Sequence, residues 1–267
     1  MSERVTISID AGVADVRMNR PEKMNALDTA QFEAVIAAGR EVSSNPEVRA
    51  VVLSGNGRAF CAGLDFSSFM GMASTDRPAR DILGREEGNP ANFGQMAAFV
   101  WTMVPVPVIA AVHGVAFGGG LQIALGADIR YIAPAAQMSV MEVKWGLIPD
   151  MSGTQTLRHV LRLDVLKELT FTGRIVSGDE AVQLGLATHV SEQPLESALA
   201  LAREIAGKSP NAVRAGKRLL NDAVYSTVAQ GLAQEEKLQR SLIGAPNQME
   251  AVRANMEKRP PQFKDGD

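Results

Sequence analysis

The stretch from Val108 to Ile132, VIAAVHGVAFGGGLQIALGADIRYI, constrains the fold more than any other part of the chain. Its first apolar run predicts a buried strand that ends at His113-Gly114, and three glycines, Gly118 to Gly120, precede a helical pattern that opens at Leu121. The first backbone N–H groups of a helix have no partner inside the helix, and the peptide dipoles add partial positive charge there. This passage from strand through glycines to helix therefore predicts a place that binds negative oxygen.

The glycines have two interpretations. Because they lack side chains, a bulky ligand can press against the backbone, so that main-chain donors hold an oxygen that gains charge. They are equally compatible with a tight turn and close packing alone. A second unit of the same kind, RAVVLSGNGRAFCAGLDF from Arg49 to Phe66, favours the first interpretation, since a thioester or ester enolate requires two donors aimed at one oxygen.

Composition argues against several function classes. The 267 residues suit one large domain or one domain with a helical appendage. Lys and Arg total 27 against 30 Asp and Glu, and the resulting net charge of -3 makes nucleic acid an unfavoured partner. The single cysteine, Cys61, cannot form an internal disulfide, and Cys and His are too few for a structural zinc site. We expect no metal and a cytoplasmic location.

The start of the chain, MSERVTISID, lacks the basic and apolar segments of a secretory signal. No uninterrupted apolar run approaches the roughly 20 residues that a membrane span needs. We therefore expect a soluble protein without a membrane partner.

Periodicity predicts the following elements. Val5 to Ile9 and Val13 to Met18 alternate like the strands of a hairpin, and Asp28 is a good N-cap for a helix from Thr29 to Ser43. Met70 to Asn92 has the composition of a mobile loop that covers a site. The remaining predictions are strands at Arg49–Ser54 and Gln137–Val140, a helical turn at Glu142–Gly146, and helices at Phe93–Met103, Ser152–Leu161, Val165–Thr170, Leu195–Ala206, Ala212–Ala223, Val228–Leu242 and Met249–Lys258.

Six segments, taken in order, resemble the crotonase superfamily of enoyl-CoA hydratases and isomerases over almost the whole chain. They are NRPEKMNALD (19–28), GRAFCAGLDF (57–66), AAVHGVAFGGGLQIALGADIRY (110–131), EVKWGLIPDMSGTQTLRH (142–159), ELTFTGRIVSGDEAVQLGLATHV (168–190) and the FKD that begins at Phe263. The resemblance implies an α/β fold, a crotonase-like spiral of ββα repeats over 1–195, with a C-terminal helical trimerisation region over 196–267. It also implies a homotrimer or a dimer of trimers, and a coenzyme A thioester as substrate in place of any cofactor.

The resemblance also implies the residues of the site. The two oxyanion-hole donors would be the backbone N–H groups of Leu64 and Gly119, and loss of one such donor typically costs about a hundredfold in rate. The residues that the resemblance places at coenzyme A are Lys23, Ala26, Cys61, Ala62 and Lys264, the last from the same or an adjacent subunit. The two lysines are also compatible with ordinary solvated charges, and Cys61 with a small packing residue.

Gln122 is the sharpest departure from the family pattern. The family's hydratases carry two glutamates at the positions that Gln122 and Glu142 occupy here. A carboxylate can exchange a proton at neutral pH, whereas an amide can only form hydrogen bonds. Two-glutamate hydration is therefore in doubt, while migration of a double bond needs only Glu142. Gln122 is alternatively a pocket-facing helix residue or one that orients a water for weak hydration.

Three further residues have alternative interpretations. Asp150 falls where the family's dienoyl-CoA isomerases carry an additional catalytic aspartate, but it is equally suited to N-cap a helix that begins near Ser152. Glu142 could simply begin the EVKWG turn with a favourable charge–dipole interaction. His113 lacks the partners that a nucleophile or metal ligand would need, so we interpret it as structural.

These observations lead to one expectation and two alternatives. We expect an acyl-CoA enzyme of fatty acid metabolism with Glu142 as general acid and base, and we favour isomerisation of a double bond. Hydration of a 2-enoyl-CoA is the first alternative. The second, of another class, is a non-catalytic homologue that binds acyl-CoA or RNA; the acidic balance argues against RNA, and the retained Glu142 argues against an inactive site.

Overall fold

The computed structural model describes residues 3–67, 81–85 and 87–265. The strands in these ranges are β1 (Val5–Asp10), β2 (Val13–Met18), β3 (Ala50–Gly55), β4 (Val108–Val112), β5 (Val115–Phe117), β6 (Ile129–Ile132), β7 (Gln137–Ser139), β8 (Val176–Ser177) and β9 (His189–Val190). The helices are α1 (Thr29–Ser44), α2 (Phe93–Met103), α3 (Gly119–Leu125), α4 (Gly153–Leu157), α5 (Leu163–Thr172), α6 (Gly178–Leu184), α7 (Pro194–Ala206), α8 (Pro210–Ala223), α9 (Val228–Leu242) and α10 (Pro246–Met256). Two 3-10 turns cover Pro21–Lys23 and Glu142–Trp145.

The strands of the described residues form two sheets, and the pairs β4–β5 and β6–β7 each have one strand in each sheet. The larger sheet has the order β1-β2-β3-β4-β6-β9, antiparallel between β1 and β2 and parallel elsewhere. The smaller sheet has the order β5-β7-β8. Strand β4 joins the large sheet, β5 joins the small one and α3 follows, which makes one ββα unit. Cys61, after β3, bridges to Ala116 of β5, so the two glycine-bearing units meet at the small sheet.

The hydrophobic core lies on both faces of the large sheet. Strands β3 and β4, which lie inside the sheet, are almost wholly buried, as their continuous apolar sequences predict. Helices α1, α2 and α3 pack on one face through the larger cluster of buried residues. Helix α7 covers the other face, where its alanines Ala198, Ala202 and Ala206 pack on Val52 and Ile109. The core therefore extends past residue 195, the boundary expected from the sequence.

The later C-terminal helices are less buried. Lys217 of α8 donates to Asp128 Oδ2 at 2.7 Å and to Val106 O at 3.0 Å, which ties the helix to the ends of β4 and β6. Helices α8 and α9 pack on each other. Large apolar side chains on these helices and between α8 and α9 are exposed, namely Leu220, Val224, Tyr225, Val228, Leu232 and Met256. In the described part of the chain, no helix combines the length and apolarity needed to cross a bilayer.

Most predicted elements are confirmed to within two residues. Helix α1 begins after Asp28, whose Oδ1 accepts from Gln31 N at 2.8 Å, so the predicted N-cap is present. Helix α3 begins at Gly119 instead of Leu121. Strand β9 was not among the predicted elements. Of the predicted loop Met70 to Asn92, residues 70–80 and 86 lie outside the described residues.

Candidate active site

The two glycine-bearing turns pack against each other beyond the carboxyl ends of β3 and β4. A Cβ placed on Gly63 would lie 2.6 Å from Phe117 O and 3.6 Å from Gly119 N. One placed on Gly120 would lie 2.2 Å from Cys61 O. Real Cβ atoms do not approach this closely, so the contact between the two backbones requires glycine at both positions.

The direction of the Leu64 amide is set by Leu27. Leu27 N donates to Gly63 O at 2.8 Å, and Asp65 N donates to Leu27 O at 3.0 Å. Because a trans peptide group is planar, the Leu64 N–H points opposite to the Gly63 carbonyl and therefore away from Leu27. Among the described residues it has no acceptor. It is thus a free donor beside the turn that holds Gly119.

Gly119 supplies a second free donor. It is the first residue of α3, where a backbone N–H has no partner inside the helix, and no acceptor for it lies elsewhere in the described ranges. Gly118, just before it, has φ +50°, a conformation that favours glycine. The structure therefore brings together the two backbone segments that the family resemblance assigns to an oxyanion hole.

Glu142 lies over the start of α3 and not in bulk solvent. Only 8% of the residue is exposed. A Cβ on Gly118 would lie 3.4 Å from Glu142 Oε1, which places the carboxyl directly beside the glycines. Oε1 accepts from Gln122 Nε2 at 2.6 Å, while Oε2 is buried with no partner in the described part of the protein. The carboxyl therefore does more than begin a turn with a solvated charge.

The environment of Glu142 raises the pKa of its carboxyl. Burial raises the pKa of Glu142 because it disfavours the charged form, and the nearby charge of Asp150 raises the pKa further. The hydrogen bond from Gln122 acts in the opposite direction, as does a backbone hydrogen bond. A carboxyl with a raised pKa exchanges protons more readily near neutral pH.

Gln122 braces Glu142 in one orientation. Its side-chain Oε1 accepts from Met151 N and from Gly153 N, both at 2.8 Å. Ser152 lies between these two donors with φ +67°, so the backbone curls around the Gln122 oxygen as an anion-binding nest does. Since the oxygen is held there, the Gln122 nitrogen faces Glu142. Gln122 is 1% exposed, so its side chain holds Glu142 from within the protein interior.

The interpretation of Asp150 as an N-cap is wrong. Helix α4 begins at Gly153 after Ser152, with no side-chain cap, and it ends at Leu157 instead of Leu161. The physical reason is that Gln122 takes the amides that a cap would have taken. Asp150 itself is exposed, although the surrounding protein desolvates its carboxyl enough to raise its pKa. A catalytic role for Asp150 stays a prediction.

The predicted contacts of Ala26, Cys61 and Ala62 with coenzyme A stay predictions, and the backbone carbonyls of these residues differ in the hydrogen bonds that they accept. The Cys61 carbonyl is buried and accepts from Phe117 N at 3.1 Å. The Ala26 carbonyl accepts from Arg20 Nη1 at 2.9 Å. Both oxygens are therefore engaged within the protein. The carbonyl of Ala62 is partly exposed and accepts no hydrogen bond from the described residues.

The two predicted lysines lie near opposite ends of strand β3. Lys23 is exposed beside Met24, whose carbonyl accepts from Ala62 N at 2.9 Å, so it lies on the side of the glycine turns. Lys264 lies near Arg49, which precedes β3 and bonds Phe263 O at 3.0 Å. The six residues of β3 span about 20 Å. A contact of Lys264 with the coenzyme A of its own subunit or of an adjacent one stays a prediction.

Cys61 and His113 have structural contacts. Burial raises the pKa of the Cys61 thiol to about 12, so it stays protonated, and its sulfur donates to Asn25 O at 3.1 Å. His113 Nε2 lies 2.9 Å from Gly57 O. Within the described ranges, no group of three His, Cys, Asp or Glu side chains is arranged to hold a metal ion.

Sequence reasoning missed two connections around the site. Asn25 is fully buried, and its side-chain nitrogen donates to Ala59 O at 2.8 Å and to Phe60 O at 3.1 Å, which joins the two loops that precede Leu64. Phe66 and Trp145 stack with ring centroids 4.2 Å apart, which links the Leu64 turn to the Glu142 turn. The sequence signal that could have indicated the role of Asn25 was its place in NRPEKMNALD. The sequence has no signal for the stack of Phe66 on Trp145, because the two rings come from distant segments.

Comparison with known proteins agrees with this geometry. The family model described as enoyl-CoA hydratase/isomerase matches residues 8–266. The mitochondrial methylglutaconyl-CoA hydratase of Mus musculus is 34% identical over 95% of this chain and 80% of its own. The mitochondrial enoyl-CoA hydratase domain-containing protein 2 of the same species is 35% identical over 94% of this chain and 84% of its own.

A solved structure matches over the same extent. The crystal structure of an enoyl-CoA hydratase from Bacillus anthracis superposes with a TM-score of 0.87 and 28% identity, covering 98% of this chain and 100% of that one. The two sheets, the ββα units and the C-terminal helices therefore have the arrangement of that protein.

Proposed function

The chain belongs to the enoyl-CoA hydratase/isomerase family, and from that premise we propose that it moves a carbon–carbon double bond in an acyl-CoA thioester. One observation carries the proposal. Gln122 holds Oε1 of Glu142, the acid beside the glycine turns, while Oε2 accepts no hydrogen bond from the residues that the structure describes. A single carboxyl with one held and one free oxygen suits a proton shuttle.

The proposed reaction converts a 3-enoyl-CoA into a 2-enoyl-CoA. The Glu142 carboxylate takes a proton from C2, and the electrons of that C–H bond move into the thioester, whose oxygen becomes negative. The amides of Leu64 and Gly119 hold this dienolate oxygen. Glu142 then returns the proton to C4, the C3–C4 double bond becomes C2–C3, and the carbonyl is restored. Protons and electrons balance without a second acid or a cofactor.

Gln122 favours this reaction over hydration. Addition of water to a 2-enoyl-CoA requires one group to deprotonate the water while another supplies a proton at C2. The amide of Gln122 can neither take nor release a proton, and both lone pairs of its oxygen are already engaged. Glu142 would have to perform both transfers alone.

Hydration remains the second candidate because the relatives' names support it. The proteins from Mus musculus and Bacillus anthracis described above are named hydratases or carry that domain name. One N–H of Gln122 stays available beyond the bond to Glu142 and could hold a water. We therefore expect hydration to be slow and isomerisation to be the faster reaction.

The experiment that tests the function follows the conjugated thioester by absorbance after addition of a 3-enoyl-CoA. We expect wild type to form 2-enoyl-CoA and Glu142→Gln to form it far more slowly. Protein that binds a saturated acyl-CoA but leaves 3-enoyl-CoA unchanged would exclude isomerisation. Binding without turnover of 2-enoyl-, 3-enoyl- and 3,5-dienoyl-CoA would support the non-catalytic alternative.

A homotrimer or a dimer of trimers is part of the proposal. The exposed apolar side chains of α8 and α9 would be covered by subunit contacts, which would remove their apolar surface from water. Such a contact would also be the way for Lys264 to reach the coenzyme A of a neighbouring subunit. Light scattering gives the mass of the assembly, and a monomer at working concentration would remove this part.

A further inference from the structure

Arg20 is a buried arginine that contacts both sides of the bridge between Leu27 and Leu64. Its Nη1 donates to Ala26 O at 2.9 Å, and its Nη2 lies 2.8 Å from Asp65 Oδ2 and 3.3 Å from Asp28 Oδ2. The side chain of Arg20 is 9% exposed and that of Asp65 is 7% exposed. One guanidinium thus contacts three groups, the Ala26 carbonyl through a hydrogen bond and the carboxylates of Asp65 and Asp28 as ion pairs.

These acceptors flank the two residues whose backbones set the direction of the Leu64 amide. Ala26 and Asp28 are the neighbours of Leu27, and Asp65 follows Leu64. The Leu27 amide and carbonyl hold the peptide groups on either side of Leu64 at 2.8 and 3.0 Å. Arg20 therefore ties the segment that orients the amide to the segment that carries it.

We propose that Arg20 is a positioning residue that keeps the Leu64 N–H aimed at the substrate's thioester oxygen. The inference rests on the proposed function to the extent that Leu64 is an oxyanion donor. The planar fork of a guanidinium fixes several acceptors in one geometry, whereas an ammonium acts as a point charge. Oxyanion donors act through fixed direction, so a small loss of alignment lowers the rate of the chemical step.

The charges around Arg20 suggest how to remove it without leaving a buried charge. Asp28 keeps a second cationic partner, Arg4, at 3.0 Å. Asp65 would lose the cation that lies 2.8 Å from its Oδ2, and removal of one member of a buried ion pair destabilises a fold strongly. The double variant Arg20→Met with Asp65→Asn removes both charges together and preserves side-chain size. Arg20→Lys is the conservative variant, because it keeps the charge but not the fork.

The test measures the carbonyl stretch of bound butanoyl-CoA, labelled with 13C at the thioester carbon, by infrared difference spectroscopy. The acyl chain of butanoyl-CoA has no carbon–carbon double bond and therefore does not react. The frequency of its carbonyl stretch thus reports polarisation of the carbonyl whichever reaction the protein catalyses. We expect the stretch to move to lower frequency on wild type, and to move clearly less on Arg20→Lys and on the double variant. Their kcat should fall about tenfold to a hundredfold with little change in KM.

The control is Arg130→Lys. Arg130 is also buried, at 5% exposed, and donates to Leu186 O at 2.8 Å and to Ala127 O at 2.6 Å, outside the candidate site. We expect this variant to lose stability and to keep the wild-type carbonyl shift. An equal loss of shift in Arg130→Lys, or a full shift with full kcat in both Arg20 variants, overturns the inference. A wild type without any shift overturns the oxyanion hole as well.

Discussion

The side-chain nitrogen of Gln122 lies 2.6 Å from Oε1 of Glu142, in a pair that is almost completely buried. The other end of the amide is held by the backbone of Met151 and Gly153, so the pair has one orientation. Gln122 therefore holds the only carboxyl of the pair and cannot itself exchange a proton. The catalytic predictions below depend on this relationship.

Glu142→Gln should remove most of the isomerase activity. The change preserves the shape of the side chain and removes the group that carries the proton, so we expect kcat to fall by about 10²- to 10⁴-fold. The measurement is the initial rate of conjugated thioester formation from 3-enoyl-CoA. Gln155→Glu, an exposed change on α4, is the control and should leave the rate near that of wild type. A Glu142→Gln variant within threefold of wild type would contradict the assignment.

The same variant should alter how stability depends on pH. Because burial raises the pKa of Glu142, the folded protein binds this proton more tightly than the unfolded chain does. The resulting stabilisation is complete below the ordinary value of 4.5 and is lost as pH rises through the raised pKa. The free energy of unfolding of wild type should therefore fall relative to Glu142→Gln across that window. Denaturant titrations at several pH values measure this difference, and parallel curves would show that Glu142 is not desolvated.

Gln122→Glu should create hydratase activity. The amides of Met151 and Gly153 would hold one oxygen of the new carboxylate as they hold the amide oxygen now. The other oxygen would face Glu142, and two carboxyls so close share a proton, which supplies both a base and an acid. We expect the rate of hydration of 2-enoyl-CoA to rise at least tenfold, which is a small part of the rate enhancement that general acid–base catalysis typically gives. The rate of 3-hydroxyacyl-CoA formation is measured by chromatography. An unchanged hydration rate would refute the role given to Gln122.

Asp150→Asn should shift the acid limb of the rate profile to lower pH. Glu142 must be ionised to take a proton, so the rate falls as pH drops through its raised pKa, and the charge of Asp150 contributes to that pKa. A shift without loss of the plateau rate indicates an electrostatic role. A plateau about a hundredfold lower would instead make Asp150 a catalytic residue. Asp164→Asn, at an exposed position on α5, should change neither.

Gly63→Ala should lower both stability and activity. Gly63 has φ +86°, and the added Cβ would lie 2.6 Å from Phe117 O, so the two glycine turns would be pushed apart. Backbone strain of this kind costs about 1–3 kcal/mol. Gly216→Ala on α8 is the matched control, since no atom lies within 4 Å of its Cβ, and it should stabilise by about 0.5–1 kcal/mol. Unimpaired activity in Gly63→Ala would argue against convergence of the two turns.

Local signals in the sequence predicted local structure well. Helix α1 and its Asp28 cap, and helix α2 with both its ends, follow from periodicity and capping residues that lie within a few positions of each other. Helix α4 was predicted too long because the helical pattern continues to Leu161, whereas the chain after Leu157 forms turns in which His159 N bonds Thr156 O. The contacts of Gln122, on another helix, with the amides of Met151 and Gly153 had no signal within the predicted helix.

The candidate site was predictable only as far as its motifs reached. The positions of Leu64, Gly119 and Glu142 follow from the resemblance, and the structure places them around the same turns. Lys264 lies in a motif as well, but in the folded chain it lies near the start of β3, whereas the glycine turn of Leu64 follows the end of that strand. The contacts of Arg20 depend on two loops that meet in space, so sequence spacing did not reveal them.

The ratio of two wild-type rates tests the central claim most directly. Under identical conditions, kcat/KM is measured for conversion of 3-enoyl-CoA to 2-enoyl-CoA and for hydration of 2-enoyl-CoA of the same chain length. One buried carboxyl braced by an amide predicts that isomerisation is the faster reaction by at least tenfold, given what a missing general acid or base costs. Rapid hydration together with an untouched 3-enoyl-CoA would contradict the account.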